Sequence, residues 1–189
     1  MKTRAIARCL LSIVAALLLC GCSQSAHDSS GRMGTLNVRL TDAPLPLSNV
    51  KSVMVTLTGV IVYPRETVES MPLPTEPPPI TLLHFPATFD LLTLTGGATA
   101  LLASGEVPVG DYSRIRLQIS SAMLIYMDGT SADLKCEPNK VDVPIQFHVS
   151  AGTGNTLVLD FDAGASVKVN ETGMGDLILR PVVTPVPVH

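Results

Sequence analysis

Tryptophan is absent from the 189 residues, and aromatic side chains account for only 4% of them, three tyrosines and four phenylalanines. Carbohydrate modules that stack sugars on exposed rings depend on such side chains, so this composition disfavours that class. Catalytic signatures are missing as well: no Gly-x-Ser-x-Gly elbow, no His-Glu-x-x-His, no phosphate-cradling loop closed by Lys and no Cys-x-x-Cys. His27 lies in a Ser-rich stretch and His189 is terminal, which leaves His84 and His148 as the only imidazoles of a folded region. His148 sits on the polar side of an alternating segment, where a solvated imidazole is the default. A hydrolase would have to assemble Ser, His and a carboxylate from scattered positions, and no feature of the chain favours that. The expectation is therefore a protein that is not an enzyme. There is also no basic run, which argues against a nucleic-acid partner.

Only one long apolar segment occurs, Cys9 to Leu19, broken by Ser12 and preceded by Lys2, Arg4 and Arg8. It is shorter than the roughly 20 residues that span a bilayer and fits a secretory leader. Its exit, Leu19-Cys20-Gly21-Cys22, resembles the lipobox of bacterial lipoproteins. That resemblance implies that the Cys22 thiol receives a diacylglycerol, that residues 1–21 are cleaved, and that the new amine takes a fatty acid such as palmitate. One acyl chain anchors only marginally; at about 0.8 kcal/mol per buried methylene, two or three make attachment effectively permanent. A secreted protein cut near Gly21 or Ala26 is the competing reading, and the compact order of charge, apolar run and small-Cys exit favours the lipoprotein. Ser23 rather than Asp follows the Cys, which in a Gram-negative cell implies delivery to the outer membrane.

Removal of residues 1–21 from the 189 leaves 168, enough for one domain with a core. Ten basic residues then face sixteen acidic ones, so the surface is mildly acidic and gives no electrostatic hold on anionic lipid. With Cys9 and Cys20 discarded and Cys22 lipidated, Cys136 stands alone. An intramolecular disulfide is not expected, and Cys136 reads as a half-buried small hydrophobe more readily than as a reactive thiol.

The mature chain opens with a Ser-rich tether, residues 22–33, followed by a domain over 34–184 and an extended tail, 185–189. Thr35 to Thr41 alternates apolar at even positions, a half-buried strand. Residues 50–63 form a longer one, with Val53, Val55 and Leu57 on one face and a break at Gly59 that predicts a bulge or a close approach of another backbone. Residues 64–79 hold six prolines with Glu66, Glu69 and Glu76, an exposed insertion rather than a strand. Ile80 to His84 and Phe89 to Leu94 are short strand candidates, and residues 97–105 offer the only plausible helical turn. Gly110-Asp111-Tyr112 enters a faultless alternation, with Tyr112 in the manner of a tyrosine corner. Asp128-Gly129 predicts a type I′ hairpin. Val143 to Val149, Leu157 to Phe161, 167–169 and 177–179 complete the strands, while Pro185 and Pro187 should keep the end of the chain from pairing regularly. The fold class is all-β: an antiparallel β-sandwich, immunoglobulin-like or prealbumin-like, of seven to nine strands with at most one short helix.

Seven ordered pieces carry a second resemblance: Leu40-Thr41-Asp42-Ala43-Pro44, Phe89-Asp90-Leu91-Leu92, Gly97-Ala98-Thr99-Ala100-Leu101-Leu102, Val107-Pro108-Val109-Gly110-Asp111-Tyr112, Ile115-Arg116-Leu117, Leu159-Asp160-Phe161-Asp162-Ala163 and the Val-rich strand after Pro44. Over about residues 34–183 the chain resembles domain-of-unknown-function family 4382, found in bacterial and archaeal lipoproteins and secreted proteins. The likeness implies an extracytoplasmic β-domain and no particular reaction. The proline-rich segment is longer here than is usual for that family.

One side-chain constellation invites chemistry. Asp160 and Asp162 are two apart and should share a strand face, with Asp42 at a turn that comes near them. Three carboxylates with turn carbonyls would suit calcium, although solvated or turn-capping carboxylates are the simpler reading. Asp90 and Asp111 read as turn residues. No organic cofactor is expected beyond the diacylglycerol and fatty acid on Cys22. The leading expectation is a lipid-tethered, non-catalytic binding or structural module of the cell envelope. It would meet the membrane through its anchor, and an envelope protein partner through end loops such as the one bearing Glu66, Glu69 and Glu76. A calcium-binding β-module using Asp42, Asp160 and Asp162 is the alternative, and a hydrolase the least favoured.

Overall fold

The computed structural model describes residues 32–42, 49–65, 77–152, 154–169 and 177–186. Twelve strands lie among them: β1 (Met33–Thr41), β2 (Val50–Pro64), β3 (Ile80–Thr81), β4 (Ala87–Asp90), β5 (Ala100–Pro108), β6 (Gly110–Tyr126), β7 (Ser131–Cys136), β8 (Lys140–Val149), β9 (Gly154–Phe161), β10 (Val167–Val169), β11 (Leu177–Leu179) and β12 (Val183–Val186). One sheet runs β12-β9-β1-β5; the other runs β10-β11-β7-β6-β2-β3, with β4 also on β2 and β8 also on β6. The result is an all-β sandwich. Two pairings, β1 with β9 and β7 with β11, are parallel. Alternation shows which face a strand buries but says nothing of the direction of a neighbour that arrives much later in the chain.

Leu36, Val38 and Leu40 of β1 meet Val53, Val55 and Leu57 of β2, Ile115 and Leu117 of β6, and Leu157, Leu159 and Phe161 of β9 in one continuous core. The long β2–β6 ribbon keeps this inward face by slipping register on both strands at the same level. Thr56 pairs Ser121, Leu57 pairs Ile119 and Gly59 pairs Gln118, so Ser120 is extra on β6 and Thr58 on β2. Buried positions accordingly change phase from Leu57 to Val60 on one strand and from Ile119 to Ala122 on the other. The break at Gly59 is thus a bulge as expected. What approaches the glycine is a side chain rather than a backbone, since a Cβ there would collide with the Gln118 carboxamide.

Four local expectations are corrected. Residues 100–108 are β5, not a helical turn: they pair with β1, and a bulge puts both Leu102 and Ala103 inward while Leu101 stays outside. Seven residues between Gly97 and Gly105 cannot nucleate a helix against an open strand edge. The one α-turn among the described residues, α1 (Ala163–Ser166), forms where Asp162 caps it, and a 3₁₀ turn over Leu91–Leu94 is capped by Asp90. The hairpin at Asp128-Gly129 has a three-residue loop closed by Tyr126 and Thr130, and within it Gly129 alone takes positive φ (+85°). A type I′ turn would also need positive φ at Asp128, whose carboxylate instead accepts the Thr130 N–H and hydroxyl at 2.9 and 2.6 Å. Finally, Val183–Val186 pairs with β9 in spite of Pro185, because β12 is an edge strand and such strands tolerate a missing donor.

The tyrosine corner is present. Tyr112 is buried, stacks on Phe147 at 5.1 Å and donates its hydroxyl to the Pro108 carbonyl at 2.8 Å. Burial pushes its phenol up to about 12.

Candidate functional site

The end of β1 is where the acidic side chains converge. Leu40 points into the core. The Thr41 hydroxyl reaches the carbonyls of Leu94 and Ala98 at 3.0 and 2.9 Å, and the Asp42 N–H donates to Leu94 at 3.1 Å. These bonds tie the 3₁₀ segment to the strand. The Asp42 side chain turns inward, only 3% exposed, and its Oδ1 accepts the Ala163 N–H at 2.8 Å. Its Oδ2 is shielded from water without a hydrogen-bond partner. Burial raises the Asp42 carboxyl to about 6; the Ala163 N–H opposes the rise, and the Asp160 and Asp162 carboxylates add to it.

Asp162 lies one residue past β9, which ends at Phe161, so it does not share the strand's polar face with Asp160. Its Oδ1 accepts the Ala165 N–H at 2.7 Å as the N-cap of α1, while its own N–H donates to Val182 at 3.0 Å. Ser166, fully buried, completes the joint: its hydroxyl donates to the Asp162 carbonyl at 2.5 Å and accepts the Val182 N–H at 2.9 Å. Asp160 sits opposite Thr41 on one side and Thr184 on the other. The three acids expected to meet do come together, but Asp42 and Asp162 are spent on backbone donors of one short turn. Among the described residues, no group of three or more His, Cys, Asp or Glu side chains is placed to hold a metal ion. The arrangement joins the ends of β1, β9 and the strand β12.

The remaining candidates separate. Cys22, and Glu66, Glu69 and Glu76 of the proline-rich insertion, lie outside the described residues, as does the 170–176 loop. Cys136 is free and half-buried, and burial raises its thiol. Asp90 is a turn residue as read: its Oδ1 accepts the N–H groups of Leu92 and Val53, each at 3.2 Å. Asp111 is paired with His148, Oδ1 to Nδ1 at 2.8 Å, on an exposed face. No serine hydroxyl among the described residues hydrogen-bonds His148 or His84.

One group went unread in the sequence. On the outward side of the second sheet, the Arg114 and Arg116 guanidinium carbons lie 3.8 and 5.4 Å from the centroid of the Tyr63 ring. Arg116 holds Asp142 in a bidentate pair, Nε to Oδ1 at 2.6 Å and Nη2 to Oδ2 at 2.8 Å, which depresses the Asp142 carboxyl. Further along the same strands, Arg65, Asp111, Gln146 and His148 rim a recess of about 240 Å³ that Tyr63, Arg114 and Arg116 do not line. Arg114-x-Arg116 on the polar side of an alternating strand was the available signal. The slip at Ser113, which brings both residues against Tyr63, depends on pairing with β2 and β8.

A family model described as "Domain of unknown function (DUF4382)" matches residues 33–181. No curated protein and no solved structure matches the chain.

Proposed function

The chain belongs to the DUF4382 family, and from that premise we propose that it is a lipid-anchored lipoprotein of the cell envelope whose β-sandwich serves as a non-catalytic binding or structural module. The observation that carries the reading is Leu19-Cys20-Gly21-Cys22 closing the apolar leader, with the first strand beginning at Met33. The Ser-rich sequence between Cys22 and Met33 would suit a tether that holds a folded domain clear of a bilayer. Diacylglycerol on the Cys22 thiol and a fatty acid on its amine supply the hold that a single chain would not. Ser23 directs the anchored protein to the outer membrane of a Gram-negative cell. In support of a non-catalytic role, the motif residues Thr41, Asp42, Asp90, Tyr112 and Asp162 all work on the backbone around them. A ligand or an envelope partner would be met through loops and the outward sheet faces.

Mass spectrometry of the purified N-terminus tests the anchor. The expected first residue is Cys22 carrying a diacylglyceryl and a fatty acyl group, and Cys22→Ala should leave the membrane fraction. A Cys22→Ala protein that is processed identically and still sediments with membranes overturns the reading.

A further inference from the structure

We propose that the outward face of the second sheet carries a carboxylate-binding site centred on Arg114. Two guanidinium groups rest against one Tyr63 ring, and Asp142 hydrogen-bonds only one of them, reaching the other through charge alone. Arg116 takes Asp142 through two parallel bonds of 2.6 and 2.8 Å. Arg114, closer to the ring at 3.8 Å, makes no hydrogen bond or ion pair with any described residue, and its Nε is shielded without an acceptor. Its register partner on β8 is Pro144, whose ring offers no acceptor. Partly buried charges are ordinarily paired, and a shielded donor without an acceptor is a standing penalty that the Tyr63 face offsets only in part. Because the Arg114 Nε is shielded, a ligand carboxylate would meet this guanidinium end-on through its two Nη groups, next to the side-on pair that Asp142 makes with Arg116.

Charge favours the same occupant. The whole chain carries a formal −3, yet Arg65 lies just beyond Tyr63 at the rim of the 240 Å³ recess, and Lys140 acts on Asp142 from the other end. Arg65, Arg114, Arg116 and Lys140 outnumber Asp111 and Asp142 on this face, so the patch is locally positive on an acidic protein and concentrates small anions. The planar guanidinium fork selects a carboxylate for shape as well as charge. Recognition by charge also suits a chain with so few aromatics. The carboxylate has two possible sources, a free small polycarboxylate or the uronate units of an acidic polysaccharide. The inference rests on the reading of the domain as a binding module and is independent of the lipid anchor.

The test is calorimetric titration of the full chain, purified in detergent, with citrate and separately with oligogalacturonate, using a neutral oligoglucan as control. Saturable binding of either acid that weakens with salt, and none of the neutral control, is expected; which acid binds identifies the source. Arg114→Gln should weaken binding by roughly tenfold or more at an unchanged melting temperature, because a charge-assisted pair is lost. Arg114→Lys, which keeps the charge but not the fork, should also weaken it and covers the case in which the Gln variant fails to fold. Absence of binding by both acids, or equal affinity in the Arg114 variants, overturns the proposal. A chain that stays with membranes yet binds neither acid fails this inference alone, whereas intact binding with Cys22 unmodified fails only the anchor.

Discussion

Asp42 is a carboxylate kept from water with one oxygen bonded to the Ala163 N–H and the other without a partner. Its folded-state value of about 6 lies above the ordinary 3.8, chiefly through burial, so the folded chain holds this proton more tightly than the unfolded chain does. The stabilisation is therefore complete below about pH 4 and is lost as pH rises through about 6. Asp42→Asn keeps an Oδ1 for Ala163 and removes the charge. The variant should be more stable than the parent at pH 7, on the order of 2 kcal/mol, and its stability should be flat between pH 4 and 7 where the parent declines. Denaturant titrations at several pH values check this; a variant less stable at neutral pH contradicts it. Tyr112 makes the complementary point, since a residue in a recognisable motif can serve only to tie down its own turn.

Elements here are defined by their slips as much as by their strands. β2 and β6 keep one inward face over their whole length because the extra residues Thr58 and Ser120 fall at the same level. Gly59 makes room there for the Gln118 side chain. Gly59→Ala should therefore cost about 1–3 kcal/mol through overpacking, and much of that should return in Gly59→Ala/Gln118→Ala, where the obstructing carboxamide is gone. A double-mutant cycle in urea measures the coupling; additive effects would show that the glycine is needed for backbone freedom instead. The same reasoning explains residues 97–105. Their alanines and leucines favour a helix in isolation, but β1 offered an edge with buried partners, and pairing outweighed propensity.

For the whole molecule, β12 closes one end of the first sheet. Val183–Val186 covers the edge of β9, whose Leu159 and Phe161 are fully buried. Pro185 and Val186 also form one wall of a 400 Å³ cleft with Ile145, Phe147 and Leu157 between the sheets. Ending the chain at Val182 should lower the melting temperature by roughly 5–10 °C, as expected for a loss of about 2–3 kcal/mol. It should also promote concentration-dependent association through the bared strand edge. Calorimetry and sedimentation check both effects; an unchanged, monomeric protein would show β12 to be an ornament of the edge.

The residues alone determined the all-β class, the inward set of β1, β2, β6 and β9, the bulge at Gly59 and the corner at Tyr112, because alternation, glycine and turn chemistry act within a few positions of one another. They also brought the three acids toward one place, since Asp42 ends one strand and Asp160 and Asp162 straddle the end of another. The Asp162 cap of α1 is local, three residues along the chain, whereas tertiary structure decided what Asp42 does, because its burial and its bond to Ala163 depend on β1 and β9 lying side by side and parallel. It likewise decided that Arg114, Arg116 and Tyr63 would meet, a consequence of register between strands about fifty residues apart in the chain. Local patterns record which way a side chain points; only long-range pairing determines what it finds there.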